Sequence, residues 1–156
     1  MPDIRFDDLN GLKEKITDDF CDWGPQVEVS QEMIQEFADI TGDQQWIHVD
    51  VEKAQNGPFG GPIAHGLLTI ALMPKVKPHY DFNIVGEGSR VNYGAESFRF
   101  LAPVPAGSII HARSRFVGVR EHSGGTLVSQ QMHIHVVGSE RPSLVYTGLL
   151  LYKPAA

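Results

Sequence analysis

Cysteine is nearly absent: Cys21 is the single one in 156 residues, so the chain can form no internal disulfide. That excludes a stapled secreted scaffold and fits a reducing compartment. Runs of positive charge are missing too. The 13 Lys and Arg are scattered among 19 Asp and Glu, and the formal net charge is −6. Nucleic acids and anionic membranes are recognised by clustered cations, so neither is an expected partner. The chain has no long apolar run either; Leu67 to Met73 falls far short of the ~20 residues that span a bilayer. Met1 to Phe20 is polar and acidic, without the apolar stretch of a signal peptide. Internal repeats, low-complexity tracts and linkers are also lacking. The expectation is one soluble, cytoplasmic domain over 1–156, with 1–25 as an N-terminal arm.

What is present is ordinary globular material, 42% hydrophobic and 21% charged, enough to bury a core. The first half reads as helical and loop-rich. Phe6 to Ile16 reads as a short helix or arm, and Gln26 to Val29 as a first strand. Ser30 is a good N-cap, since its hydroxyl can accept an early helix N–H. Met33, Ile34, Phe37, Ala38 and Thr41 then share one helical face, and Gly42 follows where a left-handed residue is wanted. This predicts a helix from about Gln31 to Thr41, with Asp43 just beyond it. Val51 to Gln55 reads as one more helical turn. Asn56 to Pro62 is a loop by composition. From Ile63 to about Val76 the chain is apolar almost all round, which predicts a buried helix that Pro74 kinks or interrupts.

After Ser89 the periodicity changes to two. Val91 to Tyr93 and Ser97 to Phe100 read as short strands, and a longer strand starts at Ile110. Ser123-Gly124-Gly125 is a hairpin signal. The next strand places Val128, Met132, Ile134 and Val136 on one face, with Ser129, Gln131, His133 and His135 on the other. Leu144 to Tyr152 is a last apolar strand. Hairpin-linked strands pair antiparallel and need an apolar cover on one face. The segment near Ile63 is the one candidate long enough. An α+β arrangement with the sheet wrapped around that helix is one topology among several that fit.

Asp43 and His48 stand five residues apart in a segment with no sustained helix pattern. A turn there can point both side chains into one pocket, where a carboxylate and an imidazole sharing a water form an acid/base pair. From spacing alone a plainer reading also stands: Asp43 turns the chain and His48 is a satisfied loop histidine. Gly66 lies in the first turn of the expected helix. Its N–H is one of the donors without a helical acceptor and can bind a developing oxyanion. Relief of crowding between helix and sheet explains the same glycine.

The order D-x4-H-x-D at Asp43, His48 and Asp50, then F-G-G-P-I-A-H-G-L-L from Phe59 to Leu68, resembles the MaoC-like dehydratases, the family of (R)-specific enoyl-CoA hydratases. Gly42 to Asp50 and Val91-Asn92-Tyr93-Gly94 are similar to the nodulation-protein-N-like branch, and Phe100 to Ser108 matches a later family pattern. The likeness covers about Gln26 to Tyr152. It implies a single hot-dog fold, an antiparallel sheet around a central buried helix, paired as a homodimer. It implies catalytic roles for Asp43 and His48 and an oxyanion contact from Gly66. It implies substrate contacts at Gln45, Trp46, Phe59, Gly60, Ile63, His65 and Asn92. The substrate implied is an acyl-CoA or acyl-carrier-protein thioester. No metal or organic cofactor is implied, because the thioester is its own electron sink. The sequence departs from the family pattern at Gln45-Trp46, where many members have Asn-Pro, and at Ala71, where some carry serine.

Other features have plain readings. His111, His133 and His135 fit a polar solvent or dimer face, since no clear acidic or thiol set accompanies them. Gly57 to Gly61 matches no phosphate-loop pattern and reads as a turn. Cys21 beside Trp23 reads as packing, and His65 as a substrate contact or helix cap. Lys75, Lys77 and Arg99 are candidates for CoA phosphates by charge alone. Two other functions remain open at this level: a hot-dog acyl-CoA thioesterase and a non-catalytic acyl-thioester-binding protein.

Overall fold

The computed structural model describes residues 1–156. In chain order the elements are β1 (Asp3–Arg5), α1 (Leu9–Lys13), β2 (Val27–Val29), α2 (Gln31–Thr41), α3 (Trp46–Val49) and α4 (Val51–Gln55). There follow α5 (Gly66–Ala71), α6 (Met73–Val76), β3 (Asn83–Val85), β4 (Ser89–Phe100), β5 (Ser108–His122), β6 (Gly125–Val136) and β7 (Leu144–Lys153). The five strands β2-β5-β6-β7-β4, in that spatial order, form one antiparallel sheet. No helix is long and apolar enough to cross a membrane.

Local signals set α2 as its sequence predicts. The Ser30 hydroxyl accepts the Met33 N–H at 3.1 Å, and Gly42 ends the helix at φ 80°. The main core lies between this helix, α5–α6 and the concave face of the sheet. It joins Ile34, Leu68, Leu72 and Val76 to Ile110, Met132, Ile134 and Leu144. A six-residue helix is marginal in water by itself. Burial of Leu68 and Leu72, roughly 1.5–3 kcal/mol each, is what holds α5 in place.

The expected helix over Ile63–Val76 starts late and is divided. Ile63, Ala64 and His65 are extended, α5 begins at Gly66, and a break at Leu72 precedes α6, whose second residue is Pro74. The late start has a cause in hydrogen bonding. The Ile63 N–H donates to the Ile47 carbonyl at 3.0 Å, and the Ala64 N–H to the Val104 carbonyl at 2.8 Å. These bonds hold the stretch extended between two loops, and the Ile63 carbonyl, which a helix starting there would use, accepts the His48 Nδ1–H at 2.7 Å. The segment is also not buried all round: Leu67 is 61% exposed and Ala71 is exposed.

Two strands expected separately, at Val91–Tyr93 and Ser97–Phe100, are one strand, β4. Its register against β7 slips twice, between Asn92 and Gly94 and between Ala95 and Ser97. β4 is one edge strand of the sheet, the short β2 being the other, and every residue of β4 is exposed. A small parallel pair, β1 with β3, was not legible in the sequence pattern.

The N-terminal arm has a defined seat. The N–H groups of Thr17, Cys21 and Gly24 donate to the Phe116, Ser114 and Ala112 carbonyls of β5 at 3.3, 2.9 and 2.8 Å. From there Trp23 stacks on His111 at 3.8 Å, and Phe20 packs on His133 at 4.5 Å and under the Arg113 and Arg115 guanidiniums. The expected solvent or dimer face of His111, His133 and His135 is therefore an intramolecular interface, and His135 is buried.

Burial and the nearby arginines push the His133 pKa down to about 4, first through desolvation. The folded value lies below the unfolded one near 6.5, so the stability it confers is complete above pH 6.5 and is lost as pH falls toward 4. Urea unfolding at pH 7 and pH 5 should show a fall in stability for the wild type and a smaller fall for His133→Leu. An equal fall in both proteins would remove His133 from this account.

Candidate active site

The catalytic candidates sit on a tight connection. Gly42 closes α2 by donating its N–H to Ala38 at 2.8 Å. The Thr41 hydroxyl donates to the Phe37 carbonyl at 2.7 Å. The Asp43 carboxylate then accepts the Gln45 N–H at 3.3 Å, a local Asx-type turn. This turn swings the chain into the single helical turn α3, which carries His48.

His48 is 6% exposed. Its Nδ1–H donates to the Ile63 carbonyl at 2.7 Å, since a carbonyl can only accept. Nε2 is thereby left as the basic nitrogen. Desolvation is the largest influence on this imidazole and lowers its pKa; the Ile63 bond opposes that, nearby His65 adds to it, and Asp43 opposes it. The net result favours neutral His48. Asp43, by contrast, is exposed and lines the same cavity.

Asp43, His48 and His65 each offer an atom within 4.8 Å of the others. One water with two hydrogen bonds of about 2.8 Å at a tetrahedral angle spans roughly 4.6 Å. The separation therefore suits a shared water. A metal ion there would find only His48 Nε2 and His65 Nδ1 as free nitrogens, since His48 Nδ1 and His65 Nε2 are bonded to the Ile63 and Asp43 carbonyls.

These groups open on a cavity of about 600 Å³ whose walls include Phe37, Ala64, Leu67, Phe100, Leu101 and Val104. Gly66 lines it as the first residue of α5, where the N–H has no acceptor within the helix. α5 is too short for a strong dipole, so any oxyanion contact rests on this N–H alone. Gly66 also meets a steric demand: a Cβ there would stand 2.7 Å from the Phe100 ring.

The expected site residues divide into two groups. Phe59, Ile63 and His65 line the cavity with Asp43, His48 and Gly66. Gln45, Trp46, Gly60 and Asn92 do not. Gln45 lends its N–H to Asp43 from the turn, and Trp46 lies outside against Lys53, 4.7 Å from ring to ammonium. Gly60 sits in the loop at φ 71°. Asn92 belongs to β4, beside a second groove with Ile70 and Tyr146. Sequence reasoning missed Phe37, Thr69, Leu101 and Ser143 as lining residues. Phe37 was legible as a core-facing position of α2; Ser143, after a turn remote in sequence, carried no signal.

Comparison with known proteins follows the same lines. A family model described as MaoC like domain matches residues 14–137. The chain is 43% identical over 132 residues to 3-hydroxyacyl-thioester dehydratase Z of Mycobacterium tuberculosis, covering 84% of this chain and 85% of that protein. It is 35% identical over 124 residues to nodulation protein N of Rhizobium meliloti, covering 76% and 74%. The fold is similar to the MaoC-like dehydratase from Rhodospirillum rubrum, with a TM-score of 0.72 at 18% identity over 93% of this chain and 97% of that one. It is also similar to the (R)-hydratase from A. caviae, with a TM-score of 0.65 at 19% identity over 86% and 97%. The curled sheet, the motif spanning Asp43 to Leu68 and the match over most of the length agree, and the chain belongs to the MaoC-like domain family.

Proposed function

We propose that this protein is a hydro-lyase that reversibly adds water to a trans-2-enoyl thioester, carried on CoA or an acyl carrier protein, to give the (R)-3-hydroxyacyl thioester. The observation that carries the reading is the placing of Asp43 and His48 within one water's span in a cavity that Gly66 also lines. The relatives named as dehydratases of hydroxyacyl thioesters support the substrate class.

The chemistry follows from the groups present. The thioester carbonyl oxygen accepts the Gly66 N–H, which draws electrons from the conjugated double bond and makes C3 electrophilic. Asp43 and His48 hold one water. As its oxygen bonds to C3, one of the pair takes the water's proton and the π electrons move onto the carbonyl oxygen. The proton taken from the water is then delivered to C2 of the enolate, with the other member helping to deliver it, so one O–H bond is broken as the C3–O and C2–H bonds form and the pair ends as it began. The thioester is the electron sink, so the reaction requires no further cofactor. The two groups act on one water, so their effects are not independent.

Mixing purified protein with crotonyl-CoA should bleach the enoyl-thioester absorbance without releasing free thiol. Free thiol would mean a thioesterase, and binding without either change a carrier. Asp43→Asn and His48→Gln should each lose about a hundredfold or more in hydration, and the double variant should be little worse than the poorer single. Additive losses would show that the two do not work as a unit.

Gly66→Val should also lose about a hundredfold by keeping the thioester oxygen away from the N–H. Because the new side chain collides with Phe100, the control is Phe100→Ala, alone and combined with Gly66→Val. Turnover of the double variant equal to that of Phe100→Ala alone would assign the glycine to packing and not to catalysis.

A second copy of the chain is the occupant that suits β4. This strand is an exposed edge with Val91, Tyr93, Phe98 and Phe100 in the open, and a bare edge of that length is a template for pairing. Light scattering at micromolar concentration should give the mass of two 17.2 kDa chains. A monomer under those conditions would overturn the pairing.

A further inference from the structure

His65 is 3% exposed, yet its Nδ1 has no hydrogen-bond partner and it makes no side-chain cap to α5. A buried imidazole with an unpaired nitrogen is costly, and an apolar side chain would avoid that cost. Two contacts account for the ring. Its Nε2–H donates to the Asp43 carbonyl at 3.0 Å, and its face lies on the His48 ring at 3.9 Å. Phe37 closes on it at 5.0 Å, so the ring is wedged in place.

We propose that His65 is a positioning residue that sets the distance between the catalytic pair, holding the Asp43 backbone with its Nε2–H and the plane of His48 with its ring. This rests on the hydration reading above. The physical basis is that His48 has one fixed point, the Nδ1 bond to Ile63, about which the imidazole can still tilt. A flat ring stacked at 26° removes that tilt and aims Nε2. Asp43 has a matching weakness. Its carboxylate is exposed and is tied only to the Gln45 N–H at 3.3 Å. The bond from His65 to the carbonyl of the same residue fixes the Cα from which that carboxylate projects. One side chain therefore anchors both ends of the water site, from a position adjacent in sequence to Gly66.

Three variants separate the two contacts. His65→Leu loses both, His65→Gln keeps an N–H within reach of the Asp43 carbonyl, and His65→Phe keeps the stacked ring. Misplacement of catalytic groups by about 1 Å costs on the order of a hundredfold, so His65→Leu should lose about that much in kcat. Its KM should stay within about threefold of wild type, because the loss falls on the transition state. His65→Gln and His65→Phe should each recover part of the loss. Hydrogen exchange at the Gln45 N–H gives a readout independent of turnover. It should quicken in His65→Leu and return toward wild type in His65→Gln. Wild-type kcat in His65→Leu, a loss confined to KM, or failure of both Gln and Phe to improve on Leu would overturn the proposal. If the wild type does not hydrate crotonyl-CoA, the functional reading fails by itself. The exchange rates then decide the role of His65: unchanged protection in His65→Leu overturns it.

Discussion

The backbone of Ile63 is bonded through both its N–H and its carbonyl to the segment that carries His48. Its N–H donates to the Ile47 carbonyl at 3.0 Å, and its carbonyl accepts the His48 Nδ1–H at 2.7 Å. The flanking residues are tied the other way: the Ala64 N–H reaches Val104, and the Pro62 carbonyl accepts the Ala106 N–H at 2.9 Å. This short extended stretch is thus stitched between the catalytic connection and the loop before β5. It fixes the tautomer of His48, holds His65 against it, and delays the helix until Gly66. A start three residues earlier would take the Ile63 carbonyl into the helix and release His48.

The electrostatic consequence is a pair of unlike environments. His48 is buried and is driven toward neutrality mainly by desolvation, whereas Asp43 is exposed. The proposed water addition needs two unlike groups beside one water, and these environments keep the two unlike. Neither environment is produced by the motif itself. Each comes from where the turn after Gly42 and the Ile63 stretch place the two side chains.

Legibility in the sequence followed the range of the interaction. Ser30, the apolar face of α2 and Gly42 act within a few residues, and the helix lies where they put it. The hairpin at Ser123-Gly124 is equally local, with both residues at positive φ. Ile63 to His65 read as helix because apolar content does not show where backbone groups are spent. β1 and β3 pair across almost eighty residues and gave no pattern. The histidines of β5 and β6 read as a solvent face because Phe20 and Trp23, which cover them, are distant in the chain. At the site, spacing and family resemblance brought out Asp43, His48 and Gly66. The structural part of His65 was hidden, because ring stacking between residues 48 and 65 exists only in three dimensions.

The sheet treats its two margins differently. Along β5 the chain's own residues 17–24 occupy backbone acceptors, while β4 is left bare. A molecule with two open margins can add copies head to tail without end and grow into a filament. Covering β5 from within occupies backbone acceptors that a second strand could otherwise use, and leaves β4 as the longer open stretch. Residues 17–24, far in sequence from β5, thereby shield a stretch of sheet backbone that would otherwise be a template for a further strand.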